Sequence, residues 1–473
     1  MKTAKSTFAL YFGNRGFFPS ALIAQARQEL AQQLQAWGHP VLMMDAAATR
    51  HGAVETPQEG EKFANFLVEN RGKFQGIILC LPNFGDENGA IAALKNAGVP
   101  ILIQAYPDDL EKMAPAVRRD AFCGKFSIMD VFTQCGVKFT ALKPHTVAIH
   151  SVAFQANVEH FDRVCQVVQG MRGMVVGAIG ARTTAFKTVR IDELTLQRKD
   201  ITVETIDLSE VVEAVRGMPG SNPAYQDKYA LLKQYTVWDG VPERALETLA
   251  RLGVVLDGLI ESYRLDALAL RCWSEMQTQL GISPCVLLGV LNNTDFAAAC
   301  EVDTGNAITM HALRLASGQQ VACLDWNNNY GEDEDKCILF HCGPVPAKLM
   351  VDSGRISDHA ILANAFGEGC GYGCNVGRLR PTDFTFGSLL TSDGQLKFYL
   401  GEGRITADPI AADFFGCGGV AQIDHLQDVL LHIGRTGHRH HTSITPGHIV
   451  APVTEALRDY LGFDVSLPQR ECR

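Results

Sequence analysis

The stretch GIILCLPN, residues 76–83, decides the fold of the first part of the chain. Its first six residues include no charged or hydrogen-bonding side chain other than the thiol of Cys80, and Pro82-Asn83 ends the run. A segment that is apolar on both faces and bounded by turn residues is typical of a buried strand in a parallel sheet.

The segments on either side repeat this pattern, with further short apolar runs at residues 7–12, 41–44 and 99–104. Helical patterns separate the runs, and the clearest one places four apolar side chains at helical spacing: Leu22, Ala26, Leu30 and Leu34. Strands alternating with helices predict a doubly wound parallel α/β domain over residues 1–150. Ligands of such sheets bind at the carboxyl ends of the strands, where the sequence places Asn14 and Arg15.

A second α/β domain is predicted over residues 151–344, because a helical pattern at 152–171 precedes an apolar strand at 174–179. Three later apolar runs predict further strands of this domain: residues 285–291, 321–324 and 337–340.

From residue 345 to residue 473 the pattern changes to short apolar runs separated by Gly, Asp and Ser, such as 384–389 and 396–400. This pattern predicts an antiparallel, barrel-like third domain. The predicted fold class is therefore α/β, with two tandem doubly wound parallel-sheet domains followed by a mainly antiparallel β C-terminal domain.

Composition narrows the class of protein. The 473 residues are 47% hydrophobic and 20% charged, with a net charge of −10, which argues against a nucleic-acid-binding surface. No apolar run is long enough to predict a transmembrane helix, and residues 8–12 are too short for a signal-peptide core. The fourteen cysteines stand singly in apolar runs, which is typical of reduced core residues. We expect a cytoplasmic protein with no membrane partner.

Four side chains able to bind a metal lie at or near the ends of apolar runs, and they are listed here in chain order: Glu301, Asp325, His341 and His441. Two carboxylates and imidazole suit a hard divalent ion such as Mn²⁺, Co²⁺ or Mg²⁺ better than a closed zinc site. Each residue also has an ordinary interpretation, as a turn residue, a helix cap or a buried histidine. The residues by themselves leave both interpretations open.

Several blocks of the sequence, in the same order, resemble the L-fucose/L-arabinose isomerase family. The blocks are ACEVD at residues 299–303, the strand before Asp325, and HHTSITPGH at residues 440–448. The runs GNRG at 13–16, RCW at 271–273 and GEG at 401–403 fit the same order.

The resemblance implies a metal-dependent isomerase that interconverts an aldose and its ketose through an ene-diol. It implies that Glu301, Asp325 and His441 bind the metal, with His341 as a fourth ligand, and that Mn²⁺ is the expected ion. Glu301 and Asp325 would also be the acid–base groups, and we favour Glu301 as the base. Proton transfer between two carbons needs such groups, and a divalent ion stabilises the developing oxyanion.

Substrate contacts are predicted from six residues that lie in these blocks or beside the candidate ligand histidine: Asn14, Arg15, Arg271, Trp273, His440 and Arg439. At the position of His440, the fucose enzymes have an amide side chain. The resemblance also implies a homo-oligomer, a hexamer in the family, in which a neighbouring subunit's first domain completes the site. Arg435 and Arg439 could bind an anionic substituent, which makes sulfoquinovose a candidate, or they could be ordinary surface arginines.

Three alternatives remain at this level. Tandem α/β domains also occur in non-catalytic sugar-binding proteins. The glycine-rich residues 367–377 could be a phosphate-binding loop or a flexible loop. Cys370, Cys374 and Cys417 could bind zinc, although their spacing fits no C-x₂-C pattern.

Overall fold

The computed structural model describes residues 4–471, which form two compact units. One unit contains residues 4–169 together with Glu455–Leu461, and the other contains Gly170–Thr454 and residues 462–471. No helix among the described residues has the length and hydropathy that a membrane span requires. The described cysteines form no disulfide.

The N-terminal unit is built on a four-stranded parallel sheet of order β2-β1-β3-β4. Its strands are β1 Phe8–Phe12, β2 Val41–Met43, β3 Gly76–Leu81 and β4 Ile101–Ala105. Its helices are Ala21–Ala36, Pro57–Glu69, Glu87–Leu94, Ala121–Gln134 and Val152–Met171, the last of which ends in the other unit.

The apolar side chains of this sheet form two separate cores. Along β3, Ile77, Leu79 and Leu81 pack in one cluster, whereas Ile78 and Cys80 pack in the other. Successive side chains of a strand point to opposite faces, so both faces are covered, as the GIILCLPN stretch predicts.

The other unit begins with a second parallel sheet, of order β6-β5-β7-β8. Its strands are β5 Met174–Ile179, β6 Ile201–Ile206, β7 Ala267–Leu270 and β8 Ala297–Cys300. The helices of this part are Glu193–Gln197, Leu208–Gly217, Pro223–Tyr235, Glu243–Tyr263, Cys285–Asn292 and Thr304–Ser317.

A nine-stranded, mostly antiparallel sheet follows, of order β11-β12-β15-β10-β9-β16-β13-β14-β17. Its strands are β9 Ala322–Tyr330, β10 Asp333–His341, β11 Arg355–Ser357, β12 Cys374–Arg378, β13 Thr382–Ser392, β14 Gln395–Ile405, β15 Cys417–Gln422, β16 His441–Pro446 and β17 Asp464–Ser466. An additional pairing between β14 and β15 closes the six strands from β15 to β14 into a barrel. The helices Ala360–Phe366, Leu426–Thr436, Val450–Thr454 and Pro468–Glu471 accompany it.

The fold class is therefore confirmed, with two parallel-sheet α/β regions followed by an antiparallel barrel. Two details differ from the sequence analysis. Residues 285–291 were expected to be a strand, but Cys285–Asn292 is a helix. Because nearly all of its residues are buried, it lacks the polar stripe by which an amphipathic helix is recognised. The strand before Asp325 is β9, which pairs with β10 and β16 in the barrel rather than with the second parallel sheet.

Candidate metal centre

Glu301 stands at the carboxyl end of β8 on a turn of unusual conformation. Both Glu301 and Val302 have positive φ, at 60° and 56°. This left-handed region is unfavourable for residues with a Cβ, and more so for a β-branched one such as Val302. Such strain persists where surrounding structure enforces it, and it is common at functional sites. The next residue, Asp303, caps the helix Thr304–Ser317 by accepting a hydrogen bond from Asn306 N.

Asp325 and His441 come from neighbouring barrel strands. In the register of β9 and β16, His441 lies directly opposite Asp325. His441 Nε2 is 3.2 Å from Asp325 Oδ1 and 2.9 Å from Glu301 Oε2. The structure therefore brings together three residues that are separated by up to 140 positions in sequence, and all three are candidate metal ligands.

Asp303 holds the imidazole of His441 in place. Its Oδ2 accepts a hydrogen bond from His441 Nδ1 at 2.8 Å, and its Oδ1 pairs with the guanidinium of Arg439. Asp303, Arg439 and His441 are all buried. A carboxylate can only accept, so the proton of the neutral imidazole is on Nδ1 and Nε2 carries a lone pair.

The sequence analysis did not identify Asp303 as a site residue. Its position two residues after Glu301 was the available signal, but an aspartate before a helix is ordinarily explained as an N-cap. Here the same carboxylate is both an N-cap and the partner of His441.

Charge pairing shifts the pKa values of these groups strongly. Burial alone would raise the pKa of the Glu301 carboxyl, but the nearby His441 and His341 lower it to about 2. Burial likewise opposes ionisation of Asp303, yet Arg439 and His441 hold its pKa well below the usual range. Burial alone would lower the pKa of His441, but Cys323, Asp303 and Glu301 raise it well above 6.5. In the metal-free protein the carboxylates of Glu301 and Asp303 are therefore charged, and the imidazole of His441 is a cation that is protonated on both nitrogens near pH 7. The neutral ring with its lone pair on Nε2 is the form that can bind a metal ion.

The donor set fits a divalent cation. His441 Nε2 and Asp325 Oδ1 are buried and form no hydrogen bond, because their close approach lacks hydrogen-bonding geometry. Converging nitrogen and oxygen atoms of this kind are stabilised by a cation between them. Asp325, His341 and His441 form one of the groups whose ligand atoms all lie within 4.8 Å of one another. Carboxylate and imidazole donors with open positions suit Mn²⁺, Co²⁺ or Mg²⁺.

A cavity of about 290 Å³ opens beside these residues, with Glu301, Asp325 and His341 in its wall. Trp273 also lines it and donates from Nε1 to Glu301 Oε1 at 2.9 Å, which fixes the second oxygen of that carboxylate. The volume is at the lower end of the range for small-molecule sites and accommodates a monosaccharide-sized ligand.

The remaining predicted contact residues of this unit have varied surroundings. Arg271 pairs with Glu275 at 2.5 Å. His440 is half exposed, and its Nε2 is 3.8 Å from Asp325 Oδ1. Arg439 pairs with Asp303 inside the protein, so its charge already has a partner. The predicted contacts of these residues and of Trp273 with substrate remain predictions.

Asn14 and Arg15 belong to the N-terminal unit, just after β1. Asn14 is buried and its side-chain amide donates to Glu55, while its Oδ1 is buried without a hydrogen-bond partner. Arg15 Nη2 pairs with Glu87 Oε1 at 3.1 Å. These polar groups lie at the edge of the sheet where a ligand of a parallel sheet is expected.

The alternative zinc site gains no support within residues 4–471. Each group of side chains there that could hold an ion includes Glu301, Asp303 or Asp325, and none includes Cys370, Cys374 or Cys417.

Comparisons with known proteins agree with these observations. The model of the fucose/sulfoquinovose isomerase N-terminal domain matches residues 9–172, and that of the L-fucose isomerase C-terminal domain matches residues 339–468. A sulfoquinovose isomerase of Priestia aryabhattai is 23% identical over 192 residues, which cover 40% of this chain and 43% of that protein. One from Clostridium sp. (strain MSTE9) is 25% identical over 199 residues, covering 42% and 44%.

The matched segments thus span less than half the length of these curated relatives. Among solved structures, a periplasmic solute binding protein of an ABC transporter from Actinobacillus succinogenes 130z with bound D-allose aligns at a TM-score of 0.18. It is 11% identical, and the alignment covers 67% of this chain and 93% of that chain. Similarity at this level carries no inference.

Proposed function

The chain belongs to the fucose isomerase-like family, because the two domain matches together cover more than half of its length, and from this premise we propose a function. We propose that the protein is a metal-dependent aldose–ketose isomerase. The substrate class is a free monosaccharide or an anionic sugar derivative. The observation that carries the proposal is the position of His441 Nε2, which lies 2.9 Å from Glu301 Oε2 and 3.2 Å from Asp325 Oδ1, beside a cavity that both carboxylates line.

Glu301, Asp325 and His441 would hold the divalent ion, most suitably Mn²⁺, with Co²⁺ or Mg²⁺ as substitutes. When bound, such an ion polarises the carbonyl and hydroxyl oxygens of a sugar and stabilises an ene-diolate. The protein's own contribution is orientation. Asp303 fixes the tautomer of His441, and Trp273 fixes the carboxylate plane of Glu301.

Proton transfer between C1 and C2 requires a group that accepts a carbon-bound proton and returns it to the neighbouring carbon. Glu301 is suited to this as base because it is ionised, nearly buried and in the cavity wall. Asp325 is the proposed partner for the hydroxyl proton. The two carboxylates would share the ion.

The test is activity of metal-stripped protein reconstituted separately with Mn²⁺, Co²⁺ and Mg²⁺ on a panel of neutral and anionic aldoses, including sulfoquinovose. We expect ketose formation with at least one ion and none after chelation. Glu301→Gln is expected to abolish turnover while leaving the fold intact. Its matched control is Glu332→Gln, an exposed carboxylate on the turn between β9 and β10, which is expected to leave turnover unchanged. Activity above a few per cent in Glu301→Gln would refute the assignment.

We further propose a cytoplasmic homo-oligomer in which the N-terminal unit of a neighbouring subunit supplies Asn14 and Arg15 to the substrate. The free thiols are consistent with a reducing compartment. Light scattering that shows a monomer would contradict the shared site. The rival function, a non-catalytic sugar-binding protein, would bind a sugar without isomerising it in the same panel.

A further inference from the structure

Three buried thiols meet beside the cavity, and the proposed function makes no use of them. Cys285 is the first residue of the helix Cys285–Asn292, Cys342 directly follows β10, and Cys374 is the first residue of β12. The Sγ atom of Cys285 is 3.4 Å from that of Cys342 and 4.0 Å from that of Cys374. Three separate elements of the fold therefore bring their sulfur atoms together.

Two of the three thiols can be reached from the cavity. Cys285 and Cys342 are among the residues that line it, and they are 1% and 8% exposed. Cys374 is fully buried. A small molecule that enters the cavity therefore meets the thiols of Cys285 and Cys342.

The contact between Cys285 and Cys342 suits an oxidation that joins them. A disulfide bond is about 2.05 Å long, so the two sulfur atoms would have to approach by about 1.4 Å from their present 3.4 Å. With hydrogen peroxide as the oxidant, one thiol attacks a peroxide oxygen and becomes a sulfenic acid, and water leaves. The other thiol then displaces the hydroxyl group of the sulfenic acid as a second water, and the S–S bond forms. Both sulfur atoms are oxidised, both peroxide oxygens are reduced, and the two thiol protons end in water.

We propose that Cys285 and Cys342 form a peroxide-sensitive dithiol whose disulfide reversibly inactivates the enzyme, an effect on turnover that rests on the proposed function. Cys342 Sγ is 3.3 Å from His341 Nδ1, and the Cys342 backbone N–H donates to the same nitrogen at 2.9 Å. Drawing Cys342 toward Cys285 therefore displaces the His341 ring, which lines the cavity together with Glu301. A displacement of about 1 Å in a reacting site can cost about 100-fold in rate.

The surroundings of the pair make this oxidation slow. A hydrogen bond with Cys285 and burial raise the pKa of the Cys342 thiol well above its usual value. Because the thiolate is the form that attacks, little of the reactive species is present near neutral pH. The dithiol would respond to sustained rather than brief exposure to peroxide, and added thiols would reverse the change by exchange.

The first test is peptide mapping, which does not depend on turnover. Metal-free wild-type protein is incubated with hydrogen peroxide, the remaining thiols are alkylated, and the protein is digested without reduction. Mass spectrometry should find the peptides of Cys285 and Cys342 joined, with the loss of two hydrogen atoms. Absence of this cross-link, or a bond between Cys285 and Cys374 in its place, would overturn the inference.

The second test compares turnover before and after the same treatment in wild type, Cys285→Ala and Cys123→Ser, each assayed with Mn²⁺. We expect treated wild type to lose about 10–100-fold in activity and to regain it with dithiothreitol. Cys285→Ala should keep the activity of its own untreated sample, because Cys342 has lost its partner. Cys123→Ser removes an exposed thiol and should remain as sensitive as wild type.

Equal sensitivity of Cys285→Ala and wild type would overturn the inference. Circular dichroism checks that Cys285→Ala is folded, and Cys342→Ala provides the same comparison if it is not. A wild-type protein that isomerises no sugar before treatment would refute the proposed function instead, and the peptide map would still decide whether the dithiol exists.

Discussion

Replacing Asp303 with asparagine isolates the group that orients His441. Oδ1 of Asp303 faces the Arg439 guanidinium, and Oδ2 faces His441 Nδ1. The asparagine side chain has one acceptor oxygen. The charged guanidinium of Arg439 binds this oxygen more strongly than the neutral imidazole of His441 does. The amide NH₂ group is then directed at His441 Nδ1, which must become an acceptor. The proton of the neutral ring then moves to Nε2, and the lone pair that we propose as the metal ligand is lost.

The structure indicates the size of the effect. Changing the partner that orients a metal-binding histidine typically costs about 10–100-fold in metal affinity, which is roughly 1.4–2.7 kcal/mol. The same substitution leaves Arg439 as a buried charge without a carboxylate, a loss of about 3–5 kcal/mol when one partner of a buried pair is removed. We therefore expect Asp303→Asn to lower both Mn²⁺ affinity and the free energy of unfolding.

The assay is Mn²⁺ titration of the metal-free protein together with urea unfolding. The control is Asp383→Asn, which neutralises an exposed aspartate 3.3 Å from Arg404. An exposed pair contributes at most about 1 kcal/mol, so the control should retain wild-type affinity and nearly wild-type stability. Mn²⁺ affinity of Asp303→Asn within a factor of about two of wild type would refute the orienting role of Asp303.

Three further predictions concern packing, a buried lysine and the site's proton. Gly305→Ala should destabilise the protein by about 1–3 kcal/mol because a Cβ there would lie 2.7 Å from the Leu389 carbonyl oxygen. Gly258→Ala, at an exposed position of the helix Glu243–Tyr263 where a Cβ meets open space, should instead stabilise it by about 0.5 kcal/mol. Thermal unfolding distinguishes the two variants, and equal shifts of their unfolding temperatures would contradict the packing argument. Burial lowers the pKa of Lys125 to about 8, so the unfolded chain binds more protons between about pH 8 and its ordinary 10.5 and stability rises across that window. Between about pH 8 and 10.5, the free energy of unfolding of wild type should rise by up to about 3 kcal/mol relative to that of Lys125→Met. Parallel profiles of unfolding free energy against pH in the two proteins would contradict this prediction. Mn²⁺ binding near pH 7 should release about one proton because His441 is a cation in the metal-free protein. Calorimetric titration in buffers of different ionisation enthalpy measures the number of protons released. A binding enthalpy that does not depend on the buffer would contradict proton release.

The sequence by itself determined the elements whose local pattern has one physical meaning. The apolar run at residues 76–81 is β3, because a strand that has no polar side chain on either face is stable when both faces are buried. The glycine- and aspartate-separated runs at 384–389 and 396–400 fall within β13 and β14 of the barrel. A short and fully apolar run, such as 285–291, is compatible with either a buried strand or a buried helix. In the folded protein this run lies in the helix Cys285–Asn292.

The candidate ligands Glu301, Asp325, His341 and His441 were also chosen from the sequence, through the order of blocks that resembles the isomerase family, whereas Asp303 was not. Their mutual geometry did not follow from the sequence, because it depends on contacts between distant parts of the chain. Only tertiary structure places His441 opposite Asp325 in the barrel register and directs Asp303 at its Nδ1. The sequence does not specify the tautomer of a histidine. The hydrogen-bond partner of one ring nitrogen determines whether the other nitrogen has a lone pair for a metal ion, and that partner is known only from the tertiary structure.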